Sequence, residues 1–181
     1  MKIIILCLFC IIRIQLAYSQ DKLTYTEVVK VDTLLKKDEL YARARLWFVK
    51  IFVNAKNVLQ IQDKESGELV GKGAIKYNNT ILGTKTVVDG WIRFTVNITI
   101  KDGKYKYEFT DFIHEGTQIS PMGKPFDFGL ITADNEAPEN IKASKSWKNK
   151  QYLTIKKTIN DDIIFIISKL KTAMNKPATD W

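Results

Sequence analysis

The sequence predicts an α+β fold in which two helices cover one face of an antiparallel five-stranded sheet. Residues 88–114 alternate apolar and polar side chains on both sides of Asp102-Gly103, which is typical of a β-hairpin. Residues 40–51 and 152–173 instead repeat apolar side chains at spacings of three and four, which is typical of amphipathic helices. The elements follow in the order β-α-β-β-β-β-α, and the sheet face without helices is open unless another segment covers it.

The first twenty residues predict an export signal. Lys2 supplies a positive charge, Ile3 to Ile12 form an apolar run without acidic residues, and Ala17-Tyr18-Ser19 places small residues where a signal peptidase requires them. The run is too short to span a membrane and is followed by Arg13. We therefore expect a cleaved signal peptide at 1–20, a periplasmic or extracellular location and no transmembrane segment in the mature chain.

The remainder predicts a single domain at 21–176 and a short tail at 177–181. Both cysteines, Cys7 and Cys10, fall in the signal, so the mature domain has no thiol. The whole chain carries a formal charge of +8, and loss of Lys2 and Arg13 lowers it by two. This basic balance favours anionic partners, although we expect no nucleic acid partner for an exported protein.

The domain opens with a strand signal over Leu23–Val31, rich in β-branched and aromatic residues. The first helix follows, with Asp38 and Glu39 at its positive end. The helical spacing predicts that Trp47 and Phe48 anchor the core.

Two further strands are predicted at Val58–Asp63 and Leu69–Tyr77, joined by a loop containing Ser66-Gly67. The second includes Gly71-Lys72-Gly73, which resembles part of a phosphate-binding loop. Because the third glycine is missing and no helix pattern follows, we interpret the two glycines as close backbone packing beneath a helix.

The hairpin at Asp102-Gly103, a dipeptide typical of a type I′ turn, predicts which side chains share a face. If Lys101 opposes Lys104 and the register continues without interruption, Ile98 and Tyr107 face the helices. The opposite face then carries Trp91 beside His114 and Arg93 beside Phe112. The predicted ligand- or partner-binding residues on that face are Trp91, Arg93, Asn97, Lys106, Glu108, Phe112 and His114.

Residues 115–146 predict a long irregular excursion, because three prolines and three glycines interrupt every pattern. Two interpretations remain open: the excursion folds back and buries Trp91 and Phe112, or it leaves them exposed as a platform for a sugar, peptide or protein. The run Ile163–Ile167 in the last helix is apolar on all sides. A strand, two-sided burial or contact with another chain would explain it, and burial beneath the excursion is our expectation.

The mature chain contains one histidine and no cysteine, which excludes zinc sites built from several Cys or His ligands and also thiol nucleophiles. No Gly-x-Ser-x-Gly sequence presents a serine nucleophile. We therefore expect no enzyme, cofactor or metal, and favour a module that binds an envelope component or protein partner through the open sheet face. The alternatives are a small hydrolase of acidic or glycan substrates that uses His114 and Glu108, and an assembly protein that forms a homodimer through Ile163–Ile167.

Several stretches also resemble a known family over roughly residues 22–175. They are Glu27–Val31, Asp38–Tyr41 with Trp47-Phe48, Asp63–Glu65 through Gly71–Gly73, and Lys101–Tyr107 continuing into Thr110–Phe112 and His114. The chain is similar there to secreted bacterial proteins that carry a domain of unknown function with a TATA-binding-protein-like (TBP-like) fold. The resemblance implies that fold and an envelope or extracellular location in Gram-negative bacteria, and it implies no activity. Lys36 stands where the family often has a helix-capping serine, so we expect Thr33 or Asp38 to cap instead.

Overall fold

The computed structural model describes residues 21–52, 58–79, 81, 87–117 and 125–176. The predicted signal peptide at 1–20 and the tail at 177–181 lie outside the described residues.

Six strands and two helices make up the described fold. They are β1 (Tyr25–Lys30), α1 (Lys37–Ile51), β2 (Leu59–Asp63), β3 (Glu68–Tyr77), β4 (Gly90–Lys101), β5 (Lys104–Gly116), β6 (Gly129–Leu130) and α2 (Lys145–Met174). The sheet is antiparallel with the order β1-β5-β4-β3-β2, and the short β6 pairs with β5 beyond the end of β1. The predicted α+β architecture is confirmed, with β6 as an additional strand within the excursion.

The core lies between the two helices and one face of the sheet. Leu40, Ala44, Trp47 and Phe48 of α1 are buried, which confirms the predicted role of Trp47 and Phe48. The buried residues of α2 are Gln151, Tyr152, Ile155, Ile159, Ile163, Leu170 and Met174. Because each helix buries one stripe, the apolar area removed from water fixes both helices to the same sheet face.

The tip of the β4–β5 hairpin supports the start of α1. No side-chain hydrogen bond comes from Lys36 at the N-cap; instead the Lys37 N–H donates to Asp102 Oδ1 at 2.7 Å. The expectation that Thr33 or Asp38 caps this helix is therefore wrong, because a carboxylate from across the fold occupies the helix's positive end. The turn is also not type I′, since Gly103 has φ +66° but Asp102 is not among the residues with positive φ.

Gly71 and Gly73 allow the helix layer to approach β3 closely. A Cβ at Gly71 would lie 2.7 Å from a ring carbon of Phe48, and one at Gly73 would lie 2.4 Å from Phe94 and 2.8 Å from Phe52. The interpretation of these glycines as packing positions is confirmed.

The described residues of the excursion, 115–117 and 125–146, lie along the edge of β5 and against the first half of α2. The Thr132 N–H donates to the Tyr152 hydroxyl at 2.7 Å, and Lys156 Nζ donates to the carbonyl of Ala133 at 2.8 Å. The run Ile163–Ile167 lies later in the helix, where Ile163 is in the core but Ile164 and Phe165 are more than half exposed. The expectation that the excursion buries this run is wrong, because its described residues lie against the preceding turns.

Replacement of Gly73 by alanine should destabilise the protein by about 1–3 kcal/mol, since the added methyl group overlaps two buried rings. Chemical denaturation measures the change in the free energy of unfolding. Ala74→Ser on the exposed side of the same strand is the control, and we expect its effect to be below about 0.5 kcal/mol. Equal stabilities of Gly73→Ala and wild type would contradict the packing described.

Candidate binding face

The side of the sheet that faces away from the helices is called the open face below. On β4 its residues are Trp91, Arg93, Thr95, Asn97 and Thr99, which alternate with buried core residues. The hairpin follows the predicted register from Lys101↔Lys104 to Thr95↔Thr110, and both Ile98 and Tyr107 are buried as predicted. This part of the sequence interpretation is confirmed.

Beyond Thr95 the predicted register is wrong by one residue. Arg93 pairs with Ile113 rather than Phe112, and Trp91 pairs with Glu115 rather than His114. The cause is an extra residue in β5: Asp111 adopts φ +55°, and both it and Thr110 fall on the open face. A β-bulge of this kind reverses the facing of every later residue in its strand.

The bulge places Phe112 and His114 in the core, so neither belongs to the open face. Phe112 is fully buried, with its ring 5.8 Å from Tyr25 and 5.7 Å from Phe94. Its burial comes from the sheet's inner face and not from an excursion folded over the open face. The prediction that these two residues contribute to a surface cluster is corrected accordingly.

His114 is a structural residue of the interior. Its Nε2 lies 3.0 Å from the carbonyl oxygen of Val88, and its Nδ1 accepts the Phe128 N–H at 3.3 Å. These partners require the neutral imidazole with its hydrogen on Nε2. Burial lowers the pKa of His114, and the smaller opposing effects of Val88, Asp127 and Glu115 do not reverse the direction.

One end of the open face carries three partly exposed apolar side chains. Trp91, Ile113 and Leu130 retain 40%, 39% and 39% of their accessible surface. The Arg93 Nε–H donates to Glu115 at 2.6 Å beside them. Trp91, Arg93, Ile113 and Leu130 line one groove of about 950 Å³, which extends from the open face to Ile51 and Phe52 at the end of α1. The open face therefore offers apolar area and oriented charges at the same place.

The other predicted residues lie further along the same face. Asn97 and Glu108 oppose each other, and Lys106 Nζ lies 3.3 Å from Glu108. The Asn97 amide is 3.4 Å from Glu68, while its Oδ1 is buried without a hydrogen-bond partner among the described residues. Asn97, Lys106 and Glu108 thus share a face with Trp91 and Arg93, separated from them by the Thr95–Thr110 pair.

Sequence reasoning missed Ile113 and Glu115, which take the places assigned to Phe112 and His114. It also missed Leu130 of β6, which pairs with Ile113. The signal that could have revealed this is the spacing of Phe109 and Phe112. Residues three apart cannot both face the core in a regular strand, so two buried aromatics at that spacing indicate a bulge.

In the described residues, no group of three or more His, Cys, Asp or Glu is placed to hold a metal ion. Within the same residues, no helix combines the length and apolarity that a membrane span requires.

Comparison with known proteins supports the fold. A family model described as "Domain of unknown function (DUF4468) with TBP-like fold" matches residues 25–115. A DUF4468 family protein from Bacteroides ovatus ATCC 8483 is similar with a TM-score of 0.54 and 15% identity, over 88% of this chain and 90% of that one. A TBP-like protein from Parabacteroides distasonis ATCC 8503 has a TM-score of 0.48 and 16% identity, over 83% and 93%. Comparison with curated proteins finds no match.

The free energy of unfolding should decrease as the pH falls below the ordinary histidine value of 6.5. Because the pKa of His114 is lowered in the folded state, the unfolded chain binds a proton first as the pH falls. The contribution of neutral His114 to the free energy of unfolding is therefore fully present above pH 6.5 and is lost as the pH falls towards the folded-state pKa. His114 is the only histidine in the chain. Denaturation between about pH 7.5 and about pH 5.5 should therefore show a smaller loss in His114→Gln than in wild type. Equal losses in the two proteins would contradict the buried neutral imidazole.

Proposed function

We propose that this chain, which belongs to the DUF4468 family of domains of unknown function with a TBP-like fold, is an exported, non-catalytic binding module. Its partner is an envelope component or protein that docks on the open face. The observation that carries this proposal is the cluster of Trp91, Ile113 and Leu130 beside the Arg93–Glu115 ion pair.

The cluster has the composition of a recognition surface. Partly exposed aromatic and branched side chains bury apolar surface when a partner binds, and the neighbouring charged side chains orient that partner. The groove of about 950 Å³ gives the partner a concave place to enter.

The charged residues of the open face indicate the chemistry of the partner. Lys72 and Lys76 of β3 lie on the same face, where they pair in register with Thr95 and Trp91. Neither lysine forms an ion pair within the described part of the chain. A partner with apolar groups flanked by negative ones complements this surface.

Location is part of the same proposal. The predicted signal at residues 1–20 supports a periplasmic or extracellular protein. In that setting the partner is a component of the cell envelope or a protein exported with it.

The hydrolase alternative loses its proposed base. His114 is fully buried and both of its ring nitrogens are engaged, while Glu108 lies on the opposite face of the sheet. In the run proposed for the dimer alternative, only Ile164 and Phe165 are more than half exposed, because Ile163 is in the core and Ile166 and Ile167 pack against it. No observation favours either alternative over the open face.

Trp91→Ala and Arg93→Ala should each weaken partner binding by roughly 2 kcal/mol, about thirty-fold, without changing the unfolding free energy by more than about 0.5 kcal/mol. The partner is captured from an envelope extract by immobilised wild-type protein, identified by mass spectrometry and purified for affinity measurement. Leu153→Ala, an exposed apolar residue on α2, is the control and should bind normally. Wild-type affinity in both open-face variants would remove the site assignment.

A further inference from the structure

A second groove lies between α1 and α2, and it shares Ile51 with the first groove. It has a volume of about 630 Å³. Its apolar lining comes from both helices: Ala42, Leu46, Trp47 and Ile51 of α1 and Ala173 of α2. Leu46 is 52% exposed although it lies in this concave position. The groove thus keeps apolar surface in contact with water, within the size range of small-molecule sites.

Cations surround this apolar floor. Lys50 of α1, Lys169 of α2 and Lys176, two residues beyond the end of α2, line the groove, and none of them forms an ion pair within the described residues. Lys169 Nζ lies 4.9 Å from the ring centre of Phe165, a contact that leaves its positive charge uncompensated. Three unpaired positive charges therefore border one apolar depression.

The remaining charges of the groove are already engaged with each other. Arg43 forms an ion pair with Glu39 and also donates to the carbonyl oxygen of Met174 at 2.7 Å. Among the described residues of the lining, Glu39 is the only acidic one, and its carboxylate is paired with Arg43 rather than with the lysines. The net character of the groove is apolar at the centre and positive at the rim.

We propose that this groove binds one molecule of a single-chain anionic amphiphile. The acyl chain lies along Leu46, Ile51 and Ala173, and the carboxylate or phosphate headgroup contacts the lysines. Burial of the chain removes apolar surface from water, and the headgroup supplies the negative charge that the rim lacks. A second copy of this protein is a poorer occupant, because it would bring an equally basic rim against this one.

The first test is isothermal titration calorimetry with laurate and with dodecyl phosphate, each below its critical micelle concentration. We expect one molecule of either probe to bind per chain. Dodecyl maltoside, which has the same chain and a neutral headgroup, should bind at least about tenfold more weakly, and acetate should give no heat. Equal affinity for the neutral probe, or no binding of either anion, would overturn the proposal.

The second test uses matched variants on exposed positions. Leu46→Glu places a negative charge inside the groove, while Val49→Glu places it on the same helix at a residue that is 54% exposed but does not line the groove. Likewise, Lys169→Glu alters the rim, and Lys142→Glu alters an exposed lysine elsewhere. Laurate affinity should fall at least about tenfold in Leu46→Glu and Lys169→Glu and change less than about twofold in the two controls.

The mass of the same proteins measured by sedimentation distinguishes binding of the amphiphile from binding of a second copy of the chain. A wild-type mass of one chain, together with the affinity losses above, supports the proposal. A wild-type dimer that Leu46→Glu dissociates would instead assign the groove to a second copy. Unchanged laurate affinity in Leu46→Glu would show that the amphiphile binds elsewhere and would also contradict the proposal.

Discussion

One extra residue in β5, Asp111, decides which side chains the sheet buries and which it presents. Two consecutive residues, Thr110 and Asp111, fall on the open face, and the alternation resumes with Phe112 and His114 in the core. Aspartate is among the few residues that adopt a left-handed φ at modest cost, and Lys22 pairs with its carboxylate at 2.7 Å. An unbulged strand would expose two rings that the core requires and would bury Glu115 beneath the helices.

The other end of the hairpin connects the sheet to the helix layer. The Asp102 carboxylate accepts a hydrogen bond from the backbone N–H of Lys37, the first residue of α1, and the Gly103 N–H donates to the carbonyl of Leu35 at 3.0 Å. A further link lies at the edge of the sheet, where Glu27 accepts the Tyr107 hydroxyl at 2.6 Å and Lys171 Nζ at 2.7 Å. The turn therefore sets both the hairpin register and the start of α1, while Glu27 joins β1 and β5 to α2.

Patterns that repeat along the chain could be predicted from the sequence, and features created by distant contacts could not. The alternation of β4, the stripes of both helices and the packing role of Gly71 and Gly73 follow from local rules, and the structure confirms them. The cap of α1 comes from a residue 65 positions away, and a two-residue strand such as β6 has no period to detect. The register error had a local signal, because the spacing of Phe109 and Phe112 is incompatible with an unbroken strand.

The proposed open-face site depends on how the bulge divides β5 between core and exterior. Nuclear Overhauser contacts of the His114 ring protons test this division directly in solution. The bulged register predicts contacts to the rings of Tyr77 and Phe128, whose centres lie 5.5 and 5.6 Å away, and contacts between Ile113 and Leu130. Contacts of His114 with the indole of Trp91, with none to Phe128, would show an uninterrupted register and contradict the account.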